Sequence, residues 1–186
     1  MKMRNIIVVC SMIIAWSSVA AENSPLAVYK WMQQLEGDWV LSSAESQEGK
    51  ATSHSVVAPM VGSDLVAMSF RLIGAGSTVQ ESLLPGTSRE MVTMYHCQDT
   101  GCAQVKATHY CVKQNQPQMV AAQETMDGRV IFECDMTTEL CQSWDDHVHA
   151  ISHELSDDGN HLKTTYSSFM NGEHTKDSVY HFDKRM

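Results

Sequence analysis

From Met91 to Phe182 apolar and polar residues alternate with a period of two, and turn-forming residues interrupt the alternation at short intervals. The interruptions fall at Asp99 to Gly101, Asn115 to Pro117, Asp127-Gly128, Asp158-Gly159 and Asn171-Gly172, with earlier ones at Gly49, Gly62, Gly74 to Gly76 and Pro85-Gly86. Glycine, proline, asparagine and aspartate supply the backbone conformations that tight hairpins require. About ten strands fit between these breaks. Consecutive hairpins give an up-and-down antiparallel meander, and a sheet of that size with one apolar face closes most simply into a β-barrel, which removes its edges. A two-sheet sandwich is the alternative.

The chain begins with features of an export leader. Lys2 and Arg4 precede an apolar run from Ile6 to Trp16, and Ser18-Val19-Ala20-Ala21 offers small residues for cleavage. The run is too short to span a bilayer, and no later segment is longer, so no transmembrane helix is expected. Residues 1–21 are read as leader and 22–186 as a single barrel domain in the periplasm or secreted. With the leader go two of the 13 basic residues and none of the 22 acidic ones, so the mature chain is strongly acidic. Nucleic acid is a poor partner for such a surface. A short helix follows over Pro25 to Leu35, with Ser24 as cap, Pro25 in the first turn and Leu26, Tyr29 and Leu35 on its apolar side; Gly37 ends it.

Three hairpins can be paired through their own turns. A four-residue loop Gln98 to Gly101 sets Cys97 opposite Cys102, Met94 opposite Val105 and Glu90 opposite His109. Around Asp158-Gly159, Leu155 meets Leu162, Ile151 meets Tyr166 and His149 meets Ser168. A three-residue loop from Asn171 to Glu173 pairs Leu162 with Phe182 and Met170 with His174. These registers place His96, His109, Cys111, His147 and His149 on the face that carries Val92, Met94, Val105, Ile151 and Leu155. The lumen then combines area from Met94, Tyr166 and Phe182 with polar groups from the histidines and Cys111. In His147-Val148-His149-Ala150-Ile151-Ser152-His153, histidines two and six apart fall on one side of a strand. Such imidazoles can share a metal ion, or they can line the lumen and bond to Ser168, Tyr166 and Thr164.

Apart from Cys10 in the leader, five cysteines remain. Cys97 and Cys102 flank one turn and Cys134 and Cys141 another, so each pair can bridge its own hairpin in an oxidising compartment. The gaps do not form the close paired spacings of a zinc ribbon. Cys111 is left unpaired, two residues from His109: a buried small hydrophobe, or a nucleophile or ligand.

Leu35-Glu36-Gly37-Asp38-Trp39, a helix end delivering Gly-x-Trp onto the first strand, resembles the opening of calycin-type barrels such as lipocalins, fatty-acid-binding proteins and nitrobindins. Met94-Tyr95-His96, Thr108-His109-Tyr110-Cys111, Asn115 to Met119 and His147-Val148-His149 resemble a family of exported bacterial proteins with no assigned activity. The resemblance covers about residues 30 to 183 and implies a calycin-like barrel; it carries over no substrate and no haem ligand. The reading that follows is a binding barrel for a small apolar or planar ligand. Its site is Met94, His96, His109, Cys111, His147, His149, Tyr166 and Phe182, and no cofactor is assigned. The alternatives are a metal- or thiol-dependent enzyme built on His109, Cys111, His147 and His149, with Glu90 as its acid, and an envelope interaction protein using the barrel only as scaffold.

Overall fold

In the computed structural model, residues 24–122 and 128–186 are described. The expected leader, residues 1–21, and Asp127 of one expected turn lie outside them. Helix α1, Pro25–Gln34, is followed by ten strands: β1 Gly37–Leu41, β2 Val66–Ile73, β3 Thr78–Leu83, β4 Met91–Cys97, β5 Val105–Tyr110, β6 Gln118–Ala121, β7 Arg129–Cys134, β8 His147–Leu155, β9 His161–Met170 and β10 Glu173–Lys184. A single helical turn, α2 Glu139–Gln142, stands between β7 and β8. Every strand pairs antiparallel with its sequence neighbours, and β1 pairs with β10, so the meander closes as a barrel without an edge.

The helix forms as the sequence predicts. The Ser24 hydroxyl accepts the Ala27 N–H at 3.2 Å, and Pro25 occupies the first turn. Its buried side is Val28, Tyr29 and Met32, whereas Leu26, expected on the apolar side, is exposed. Tyr29 and Gln33 both donate to the Gly76 carbonyl, at 2.9 and 3.3 Å, which ties α1 to the β2–β3 turn. The helix thereby covers the barrel end that also carries the β4–β5 loop. The opposite end, which carries the β1–β2, β3–β4, β5–β6, β7–β8 and β9–β10 connections, is the mouth. Residues 42–65 contain no strand. They form three one-turn 3-10 helices, held to β10 by Gln47, which exchanges hydrogen bonds with the His181 backbone.

One continuous core fills the interior. Trp39, Phe70, Tyr95, Phe132 and Phe182 are fully enclosed together with Met68, Leu83 and Met119. Burying an aliphatic or aromatic side chain of this kind contributes about 1.5–3 kcal/mol, which makes this interior the main source of stability. At the helix end, the Trp39 indole N–H donates to the Leu35 carbonyl at 2.9 Å, and the Lys184 ammonium lies 5.4 Å from the centre of the Trp39 ring.

Register separates the hairpins that the turn residues specify from the one they do not. Ile151 pairs with Tyr166, Leu155 with Leu162, and Leu162 with Phe182, as expected. Asn171 and Gly172, both with positive φ, make a two-residue turn, so Met170 faces Glu173 and an irregularity between His174 and Lys176 restores the expected pairing beyond it. The β4–β5 hairpin differs. Cys97 pairs with Val105 across a loop of residues 98–104, and Met94 faces Thr108 in place of Val105. A displacement of three residues is odd, so β4 turns over: Thr93 and Tyr95 point inward, and Val92, Met94 and His96 lie on the outer face. Both expected disulfides are formed, Cys97–Cys102 within that loop and Cys134–Cys141 joining the end of β7 to α2.

Candidate functional site

Strand β3 alternates Val79, Glu81 and Leu83 toward the interior, so its pleat carries a carboxylate into the core between two apolar neighbours. Glu81 has no solvent exposure, and four donors surround it. Tyr166 donates to Oε1 at 2.6 Å and Thr93 to the same oxygen at 3.3 Å; Tyr95 donates to Oε2 at 2.6 Å, with His153 Nε2 at 3.3 Å from it. Because the Tyr95 proton is committed to Glu81, the 3.0 Å contact between Tyr95 and His153 Nε2 requires the histidine N–H to donate. His153 Nδ1 meets Thr164 at 3.0 Å, directly across the β8–β9 pair. Burial works to raise the Glu81 pKa, yet the hydrogen bond and charge of His153, with Tyr166 and Tyr95, outweigh it and bring the group below its ordinary value. Burial, followed by the Glu81 charge, holds Tyr95 and Tyr166 well above the usual phenol range.

His109 extends this network by one step. Its Nδ1 lies 2.9 Å from the Thr93 hydroxyl, whose proton goes to Glu81, so Nδ1–H donates and Nε2 is left as a bare lone pair. Nε2 is buried without a partner. Burial lowers the His109 pKa to about 4, with Glu81 opposing and Lys113 assisting, and the ring is neutral at pH 7. Glu90, expected opposite His109, lies beyond β4 and accepts the Gly86 N–H; Thr93 occupies the facing position because of the β4–β5 register.

Above the network the mouth holds a recess of about 60 Å³. Its floor and walls include Tyr166, Tyr180, Ser168, Met91, Val148 and the free thiol of Cys111, and Arg89, Lys113 and Lys176 border it. Among the described residues the Cys111 thiol is 3.8 Å from the Met91 sulfur and makes no other side-chain hydrogen bond. Lys113 is held by Asp146 at 2.5 Å and Ser168 at 3.2 Å, while Asn115 donates to the Asp146 carbonyl at 2.9 Å, so the Asn115 segment forms part of the rim. Neither the Arg89 guanidinium nor the Lys176 ammonium makes an ion pair among the described residues.

His147 and His149 are not in the lumen. A bulge at His149 pairs Val148 with Ser168 and Ala150 with Ser167, so Val148 takes the inward position and His147 pairs with Phe169 on the outer face. His149 stacks on the Phe169 ring with centroids 4.1 Å apart. His147 is buried there: its Nδ1 lies 2.7 Å from the Asp145 carbonyl, which can only accept, so this nitrogen carries the proton. Its Nε2 meets His149 Nδ1 at 3.0 Å. Burial, then the neighbouring His147, lowers the His149 pKa.

The residues expected to form one lumen site therefore divide. His109, Cys111, Tyr166 and Phe182 face inward, with Phe182 packed in the core; Met94, His96, His147 and His149 face outward. Thr93 and Tyr95 face inward only in the observed β4 register, Glu81 stands in the Val79-Glu81-Leu83 alternation of β3, and His153 stands in the histidine run without being assigned to the expected site. Compared with protein-family models and with curated protein sequences, the chain matches none.

Proposed function

We propose that this protein is an exported binding barrel that takes the anionic head of a small amphipathic molecule at its mouth. The observation that carries the reading is the border of Arg89, Lys113 and Lys176 around a recess walled by Tyr166, Tyr180, Met91 and Cys111, in a chain of net charge −9. A recess of about 60 Å³ suits a head group, and the filled core beneath keeps the apolar body of the ligand near the rim. Lys113 is already neutralised by Asp146, so Arg89 and Lys176 supply the charge that a carboxylate meets. The two disulfides fit an oxidising compartment outside the cytoplasm, and cleavage near residue 21 gives the mature chain 22–186.

Calorimetric titration with octanoate and with octanol tests this. Octanoate binds at least tenfold more tightly than the alcohol, and the Arg89→Ala/Lys176→Ala double variant loses that margin while keeping its fold. Equal binding of acid and alcohol, or an unchanged octanoate affinity in the double variant, refutes the reading.

A further inference from the structure

The outer histidine pair lies across the sheet from the mouth, beside a disulfide, and its geometry serves neither the core network nor the recess. The ligand atoms of Cys134, His147 and His149 all fall within 4.8 Å of one another. His147 is locked by the Asp145 carbonyl in the tautomer that turns the Nε2 lone pair toward His149, which is how a metal-binding histidine is commonly oriented. The two facing nitrogens are 3.0 Å apart. Two nitrogens bound tetrahedrally to one zinc ion at about 2.0 Å stand roughly 3.3 Å apart, so little movement separates the present pair from a bound one. The proton that now bridges them belongs to His149 Nδ1 and can reside on Nε2 of the same ring. The fourth member is Cys141, whose sulfur is bonded to Cys134 but stands outside that 4.8 Å group, 3.4 Å from the Gln118 carbonyl, so it can join the other three only once the S–S bond opens.

We propose that reduction of the Cys134–Cys141 disulfide opens a zinc site made of both cysteine sulfurs, His147 Nε2 and His149 Nδ1, so that this corner of the barrel is closed by a covalent bond or by a metal ion according to redox state. In the oxidised protein the sulfurs carry no thiolate charge, and the imidazoles alone are a two-ligand site. A phosphine reductant supplies the two electrons: the S–S bond breaks, water gives its oxygen to the phosphine and its two hydrogens to the sulfurs, and the products are phosphine oxide and two thiols. Zinc then displaces one proton from each thiol. Two Zn–S and two Zn–N bonds form, and the His149 proton moves between nitrogens of its own ring, so two protons leave per ion bound. Thiolate and imidazole donors favour zinc or its cobalt surrogate over magnesium and calcium, which take oxygen.

The test uses the mature chain and Co²⁺, with zinc as competitor. Oxidised wild type binds Co²⁺ only weakly, through the two imidazoles, and without a thiolate-to-cobalt band; the His147→Ala/His149→Ala variant loses that residual binding. After treatment with tris(2-carboxyethyl)phosphine the wild type takes up one Co²⁺ at least 100-fold more tightly and develops a thiolate-to-cobalt absorption band that zinc abolishes. Cys141→Ser frees the Cys134 thiol with no reductant and leaves Cys97–Cys102 intact; it shows the band as prepared, and adding His149→Ala weakens its binding at least tenfold. Should reduced wild type lose its circular-dichroism signature, Cys141→Ser decides alone. No band in Cys141→Ser, a band that survives loss of both histidines, or one that vanishes with Cys111→Ser overturns the proposal.

Discussion

The two faces of strand β8 hold histidines in opposite circumstances. His153 points inward and is bonded at both nitrogens, to Tyr95 and Thr164, beside a carboxylate with no solvent exposure. His147 and His149, a few residues away and across a bulge, face outward and share one hydrogen bond between themselves. His153 and Glu81 belong to a polar circuit that bonds both nitrogens of the one and both oxygens of the other, which is the condition for keeping ionisable groups in an apolar core; at its far end only His109 Nε2 is left without a partner. The outer pair has spent both N–H donors, on the Asp145 carbonyl and on the hydrogen bond between the rings, and keeps the lone pair of His149 Nε2 outside any hydrogen bond among the described residues. Residue type is the same; what differs is whether the surroundings complete the bonding.

Breaking the inner circuit has the largest effect. Glu81→Ala removes the shared acceptor of Tyr95, Tyr166, Thr93 and His153 and leaves their polar groups buried, so urea denaturation registers a loss of about 3–5 kcal/mol. Acid probes the same region. A histidine whose folded pKa lies near 4 against an ordinary 6.5 takes up its proton more readily when unfolded, so His109 reduces stability progressively as pH falls from about 6.5 to about 4. The full difference is about 3 kcal/mol, and His109→Leu flattens the stability curve over that interval. Glu81, with its folded pKa depressed, adds a further loss only at lower pH, as the carboxylate is protonated in the fold. The smallest change is on the outer face: His149→Ala removes one half-exposed ring stacked on Phe169 and costs about 1 kcal/mol or less, with the acid slope due to His109 intact. A larger loss from His149→Ala than from Glu81→Ala would invert the comparison.

The hairpins differ in how far their residues declare them. Asn171, Gly172 and Gly159 adopt the left-handed backbone of tight turns, and the strands that these turns join pair nearly as the turns imply. The turn residues Gln98 to Gly101 sit inside a longer loop, residues 98–104, tied by Cys97–Cys102, and nothing local distinguishes it from a four-residue connection. The outcome for the site was large, since that one shift carries Met94 and His96 out of the lumen and Thr93 and Tyr95 into it. The bulge at His149 leaves one trace in the sequence, since Val148 and Ile151, both inward, stand three residues apart and so break the period of two.

Period-two alternation, turn chemistry and cysteine placement determined an antiparallel meander of about ten strands, a short leading helix and two local disulfides, because each depends on residues near one another along the chain; that the meander closes β1 on β10 as a barrel, and not as a sandwich, was settled by the fold. Which face each histidine occupies, and that a glutamate lies at the centre of the core, were decided only by tertiary structure. Face is a parity, reversed by a single inserted residue or an odd shift, and the energy that selects the register comes from contacts with strands far away in sequence.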